Sequence, residues 1–540
     1  MGSVPTVVHN ATLYTADAAR PHATAFAMRN GHFLMVGSDA ELQSAYPNGP
    51  TIDAREHTIV PGFIDAHAHL HELGYTLQRV DLTGAGSPRA VVERLKAAVD
   101  DTDRGADAWL RGHGWDHTAW SPPTYPSREQ LDAAFPTRPV WLTRTDGHAG
   151  WANTAALNAT IGLRRLRNMA DPDGGRIRRD DRGTPTGILI DRAMALVTDR
   201  LPPLTDAQHD RALRTALDRT SRYGITGLHD AGVTLSEIQR FRRCIDEDRF
   251  PLRVYAMILG RGDTFDHFCE RGPLHHPSGR LDVASVKFFA DGALGSRGAA
   301  LLDDYADAPG HRGPLRHAPE AFRRAVQAAA ECGLQVNTHA IGDRAARTVL
   351  DAYEAVTEAD GPSLRRPRIE HAQVVAPTDV ARFRDLGVTA SVQPAHAASD
   401  ADWAQSRLGP TRLPHAYAWT TLHEAGVPLA FGSDAPVEPL GPLDAFAAAV
   451  TAQTIPDGDV LSPPLPRSVA LHAHTLGAAR AAGRADTVGS ITPGKRADFV
   501  VLSDDLCTVP PSALSEIEVH ATYLGGRPTF VQDDTWAPSP

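Results

Sequence analysis

The sequence predicts an α/β protein: a TIM-type (β/α)8 barrel, a small β-sandwich domain built from both chain ends, and an inserted cap. Three observations in the 540 residues carry that expectation. Short apolar runs alternate with helical stretches through the second half of the chain. β-prone runs bounded by turn dipeptides occupy both ends. A tract rich in Trp, Pro, Gly and Arg interrupts the alternation between residues 76 and 205.

At the start, ATAFAMRNGHFLMVGS places two β-prone runs around Asn30-Gly31, a dipeptide suited to the positive φ angles of a type I′ hairpin turn. The far end reads alike. SITPGKRADFVVLSDD sets a Pro-Gly turn before an apolar run, and VHATYLGGRPTFV sets Gly525-Gly526 between two more. Neither end alone has enough strands for a stable sheet, so residues 1–58 and 485–540 are expected to pair into one composite β-sandwich domain.

The barrel is expected over 59–75 and 206–484, with helices such as 206–222, 319–332, 343–357 and 414–425. IVPGFIDAHAH, from 59, supplies its first strand. The others are GITGLHD (224–230), LRVYAMI (252–258), VASVKFFADG (283–292), LQVNTHA (334–340), RIEHA (368–372), VTASVQP (388–394) and VPLAFGSD (427–434). Together they make eight. PVWLTRTD, inside 76–205, would be a ninth and is assigned to the inserted cap.

A composition of 42% hydrophobic and 22% charged residues describes a soluble globular chain. A net charge of −11 with no basic tract gives no footprint for nucleic acid. No apolar run approaches the roughly 20 residues that span a bilayer. The opening MGSVPTVVHNATLYTADAARP lacks the basic and apolar regions of a signal peptide, so a cytoplasmic location is expected. Cys244, Cys269, Cys332 and Cys507 form no CxxC pair, which reads as reduced thiols rather than a disulfide framework.

The chemistry is concentrated at the ends of the apolar runs. His67 and His69 share one face of a strand, about 7 Å apart, and converge on one ion if the strand bends. Lys287 ends VASVK, His339 ends LQVNTH, His371 ends RIEH and Asp434 ends LAFGSD. Each alone has an ordinary reading: His371 a loop cap, Asp434 a helix N-cap, Lys287 a side chain reaching solvent. Their coincidence at the carboxyl ends of five of the expected strands, where barrels carry their reactive groups, points to a metal centre.

The motifs PGFIDAHAHL, GHGWD, DGHAGWANTAAL, GGRIRRDDRGTPTGIL, GITGLHDAG, VKFFADGALGSRGAA, NTHAIGDRA, RIEHAQ, SVQPAH, GSDAPVEPLGP and GSITPGKRADFVVL run in that order along the chain. In this order the set resembles the amidohydrolase superfamily of metal-dependent hydrolases, within it the amidohydrolase-3, or YtcJ-like, branch. Gly298 departs from the Thr expected in relatives and lies outside the ligand positions.

The resemblance implies metal ligation by His67, His69, His339, His371 and Asp434, with Asp434 also carrying the proton. It implies a carboxylated Lys287 bridging two ions, since a carbamate offers two anionic oxygens where an ammonium repels a cation. The alternative is one ion with Lys287 unmodified and paired to a carboxylate. Nitrogen and oxygen donors suit zinc, with manganese, iron or nickel as other choices. The implied reaction is hydrolysis of a non-peptide C–N bond, an amide or an N-substituted formamide, by a water that the metal activates. A lactone or ester hydrolase on the same site is the alternative. A barrel that binds metal and ligand without turnover is the alternative of another class.

Five of the eight tryptophans, Trp109, Trp115, Trp120, Trp141 and Trp151, lie in the insert, where they are expected mostly to pack a small core. His148, then Trp115, Asp116 and His113, are the candidates there for contact with a small-molecule substrate. Gln393 and His396, past the seventh strand, are further candidates. His71 and His229 are expected to support the site rather than form it. The surface leaves room for a homodimer.

Overall fold

The computed structural model describes residues 4–100, 109–145, 147–358, 364–532 and 536. The chain divides into two compact units, one of Met1–Glu72 with Ala216–Pro540 and the other of Leu73–Thr215.

The first unit holds the barrel. Its strands are β1 (Phe63–Ala68), β2 (Ile225–Val233), β3 (Arg253–Leu259), β4 (Leu281–Phe289), β5 (Gln335–Ala340), β6 (Arg368–His371), β7 (Thr389–Val392) and β8 (Leu429–Phe431). They pair in chain order in one parallel sheet. The ends of β1 and β8 meet where the Asp434 amide donates to the His67 carbonyl at 2.7 Å. A Cβ at Gly432 would lie 2.4 Å from the His67 nitrogen, so only glycine lets these two backbones approach.

The single strand expected from residue 59 is two. Thr58–Pro61 pairs antiparallel with Phe499–Leu502 and parallel with Thr12–Tyr14, joining the sheet of the chain ends. The chain then turns at Gly62, where a Cβ would meet the Thr226 hydroxyl at 2.2 Å, and enters the barrel as β1. The apolar run is unbroken because both segments are buried, each in its own sheet.

The two ends of the chain interleave in that six-stranded sheet and face a four-stranded one that contains Thr6–His9 and the hairpin Ala25–Arg29 and His32–Gly37. Asn30 (φ 52°) and Gly31 (φ 79°) form the expected left-handed turn. Phe26, Phe33, Phe499 and Tyr523 fill the space between, the last two stacked at 4.4 Å. Each such ring removed from water contributes about 2–3 kcal/mol. Arg253, at the start of β3, holds Asp498 with two hydrogen bonds of 2.7 and 2.9 Å, tying this sheet to the barrel.

Two expectations need correction. Cys269 and Cys332 are joined by a disulfide, with Cα atoms 4.7 Å apart, which staples helix Asp263–Arg271 to the end of helix Pro319–Glu331. Cys244 and Cys507 are in no disulfide. The bonded cysteines are 63 positions apart in the sequence, and the pairing of β3 with β4 brings the helices that follow those strands together. The helix expected over 414–425 is interrupted at Tyr417 (φ 51°), leaving a single turn Leu413–His415 and a short helix Trp419–Glu424. The Tyr417 amide donates to the Gln373 carbonyl at 2.6 Å, a bond that helical geometry would not allow.

The second unit is a six-stranded mixed sheet containing Leu110–Trp115, Val140–Arg144, Ala149–Ala152 and Pro185–Asp191. PVWLTRTD forms one of its strands. Trp115, Trp120 and Trp151 pack in one core beside it, while Trp141, with Trp109 against it, belongs to another. Among the described residues, no helix is long and apolar enough to cross a membrane.

Candidate metal centre

His67 lies on β1 and His69 one residue past it; Asp434 follows β8. The ligand atoms of these three lie within 4.8 Å of one another. His69 Nε2 is 3.1 Å from Asp434 Oδ1, and His67 Nε2 is 3.5 Å from it. Asp65 fixes this meeting of strands. Its carboxylate accepts from the His67 and Ser433 amides, each at 3.0 Å, and from the Ser433 hydroxyl at 2.6 Å. Burial pushes the Asp65 carboxyl up to about 6.

The histidine tautomers follow from their partners. His69 Nδ1–H donates to the Ala231 carbonyl at 2.8 Å, which turns Nε2 towards Asp434 at 3.1 Å; burial would lower this imidazole, but the hydrogen bond and charge of Asp434 raise it above its ordinary range. His67 Nδ1–H donates to Glu370 at 2.6 Å and His371 Nδ1–H to the Gln393 amide oxygen at 2.8 Å, which bares both Nε2 atoms. His339 Nε2 is buried without a hydrogen bond, and the His339 and His371 rings lie 4.5 Å apart. Burial lowers His67 to about 4 and holds His371 well below the ordinary imidazole range. His67 and His371, neutral and with bare Nε2 atoms, stand with His69 beside an ionised carboxylate, and imidazole with carboxylate is a donor set that a divalent cation takes.

Lys287, on β4, is buried with Nζ 3.0 Å from His67 Nε2, and burial lowers its amine to about 8. Burial would raise Asp434, but the hydrogen bond with His69 and the neighbouring His67 and His371 hold it well below the ordinary carboxylate range. Asp434 (φ 59°) and His371 (φ 74°) both sit in the left-handed region. Non-glycine residues persist there only where surrounding contacts impose it, and such strain collects at functional sites.

Of the six residues expected to bind metal, His67, His69 and Asp434 bring their ligand atoms together, Lys287 and the His371 ring lie against His67, and His339 packs on His371 with Nε2 3.4 Å from Asp291. Among the substrate candidates, Gln393 is engaged by His371, and His396 stands with Nε2 3.9 Å from Asp434 Oδ2. The others belong to the second unit. Trp115 is fully buried, with its indole N–H on the Leu142 carbonyl at 3.2 Å, so packing uses the whole side chain. Asp116 caps the turn His117–Ala119 by accepting from the Thr118 amide at 2.9 Å. His113 is half-buried. His148 is exposed and lies 2.8 Å from Asp191. His71 is buried against Phe241, and His229 Nδ1 meets Arg368 at 2.9 Å.

Sequence reasoning missed Arg368 and Glu370. Both are fully buried on β6, paired through Arg368 Nε and Glu370 Oε1 at 2.9 Å. Burial would raise the Glu370 carboxyl, yet Arg368 and His67 hold it well below its ordinary value. The signal was present. Two opposite charges spaced by two in a short barrel strand share a face and must pair if that face is inside.

A family model described as "Amidohydrolase family" matches residues 50–530. The chain belongs to that family. It is 36% identical to Protein LONG AFTER FAR-RED 3 of Arabidopsis thaliana, covering 97% of this chain and 91% of that one. It is 32% identical to the protein named amidohydrolase YtcJ in Bacillus subtilis, covering 96% and 98%. It is 28% identical to the N-substituted formamide deformylase of Arthrobacter pascens, covering 96% and 97%. Among solved structures, a metal-dependent hydrolase from Pyrococcus horikoshii superposes with a TM-score of 0.77 at 27% identity, covering 94% of this chain and 99% of that one. The family is one of metal-dependent hydrolases acting on small substrates, and the His/Asp cluster of this chain fits it.

Proposed function

We propose that this protein hydrolyses a non-peptide C–N bond, of an amide or an N-substituted formamide, at a divalent metal centre. The observation that carries the reading is the convergence of His67, His69 and Asp434 beside His371, His339 and a buried Lys287. Similarity to the formamide deformylase over nearly both full lengths supports the choice of bond.

His67, His69, His339, His371 and Asp434 would hold the metal, zinc being suited to such donors. When bound, a divalent cation acidifies a water to a pKa of about 7 and polarises the carbonyl it faces. Asp434 stays ionised, accepts the proton of the attacking water and passes it to the departing nitrogen. Lys287, lowered to about 8, keeps an unprotonated fraction near neutral pH, the form that condenses with carbon dioxide. The carbamate so formed, with release of one proton, would supply two anionic oxygens to a second ion.

Protein loaded with zinc or manganese and given N-substituted formamides, acyl amines and lactones is expected to release formate and amine. Ring-opened hydroxy acid alone would replace this reading with ester hydrolysis. Silence of the fully loaded protein across the panel would overturn it.

A further inference from the structure

His396 sits in the short helix Pro394–Ser399, with its ring parallel to that of His371 at 6.1 Å. Its side chain is nine-tenths buried. Nε2 has no hydrogen-bond partner and lies 3.9 Å from Asp434 Oδ2, too far for a direct bond. Burying an imidazole nitrogen unpaired costs about 1–3 kcal/mol. A ligand oxygen within hydrogen-bond reach of Nε2 would satisfy it.

The polar chain behind the ring decides what Nε2 offers. Tyr417 donates its hydroxyl to Asp400 Oδ2. That carboxylate also faces Gln373 Nε2, at 3.5 Å, which orients the amide with its NH2 towards Asp400. The same NH2 lies 3.1 Å from His396 Nδ1. An amide nitrogen only donates, so Nδ1 is the acceptor and the ring proton resides on Nε2, directed at the space beside Asp434.

We propose that His396 donates its Nε2–H to the carbonyl oxygen of the bond being cleaved. Gln373 and Asp400, the latter held by Tyr417, are positioning residues that fix its tautomer. The proton stays on His396 throughout; the hydrogen bond strengthens as negative charge gathers on that oxygen, which makes it selective for the transition state. The inference rests on the hydrolytic reading of the site, since it names what one residue does to its substrate. It also accounts for the break at Tyr417: a continuous helix would take the Tyr417 amide from the Gln373 carbonyl and the hydroxyl from Asp400.

The test has two arms on the full-length, metal-loaded protein. In the first, nitrogen NMR of ring-labelled histidine, with His396 assigned by loss of its signal in His396→Gln, reads the tautomer without substrate. The expected state has Nε2 protonated and Nδ1 bare, and becomes mixed in Gln373→Met. A wild-type ring protonated on Nδ1 would overturn the proposal. In the second arm, His396→Ala is expected to lower kcat by about 10²–10³ with KM and metal content nearly unchanged. His396→Gln, whose amide can donate from a similar place, is expected to recover part of that loss. Equal kcat in wild type and His396→Ala would also overturn the proposal. If no substrate in the panel is turned over, the hydrolytic reading fails, while the tautomer arm still decides the state of His396.

Discussion

Among the side chains fully buried in the barrel are Arg368, Glu370 and His67, with Lys287 nearly so, whereas those fully buried in the second unit include Trp115 and Trp151. Both interiors are close-packed, but they are held by different physics. The tryptophans gain from leaving water and place each indole N–H on a carbonyl, Trp115 on Leu142 and Trp151 on Ser127. The barrel charges lose several kcal/mol per ion on leaving water and recover it only through mutual pairing. A fold seeking stability alone would fill β6 with aliphatic residues. That it keeps Arg368, Glu370 and the imidazole they orient shows that position, rather than stability, is what the barrel interior supplies.

Substitutions at four sites sharpen or break this contrast. The largest effect is expected from Asp434→Asn, which should retain metal and lose turnover by about 10²–10⁴-fold in steady-state assays, because the amide accepts no proton. Next is Glu370→Ala. It leaves Arg368 buried without its partner and is expected to cost about 3–5 kcal/mol in denaturant unfolding. The same variant should weaken divalent affinity by about 10–100-fold in chelator competition, since His67 loses its orienting carboxylate. Trp115→Ala is expected to cost about 3–5 kcal/mol through lost burial and the cavity it leaves, with divalent affinity unchanged. Were Trp115→Ala to weaken metal binding as Glu370→Ala does, the two interiors would not differ as described. The smallest effect is expected at the exposed His148–Asp191 pair, where His148→Ala should shift unfolding by no more than about 0.5 kcal/mol.

The same contrast explains what could be read in the sequence. The eight barrel strands were legible because each is a short apolar run between helical stretches, and buried parallel strands have that pattern. The position of His67, His69, Lys287, His339, His371 and Asp434 at or just past strand ends was legible because polar residues there interrupt the apolar runs. The switch of sheets at Gly62 was not, because Thr58–Pro61 and Phe63–Ala68 are both buried and the hydrophobic pattern does not change between them. Glu370 adjoins the more conspicuous His371 in RIEH, although its pairing with Arg368 two residues back follows from strand periodicity. The Cys269–Cys332 bond and the break at Tyr417 depend on contacts between distant segments, which local patterns do not encode. Trp115 read ambiguously as core or ligand contact; only its complete burial shows that packing uses it.

The central claim is that His67, His69 and Asp434 are brought together to hold a divalent ion. Elemental analysis of the purified protein beside His67→Ala, His69→Ala and Asp434→Ala, after dialysis against zinc and then buffer, tests it most directly. The account predicts at least one zinc per chain in the parent and a marked loss in each variant, with folding confirmed by circular dichroism. A parent that retains no zinc, or variants that retain as much as the parent, would contradict it.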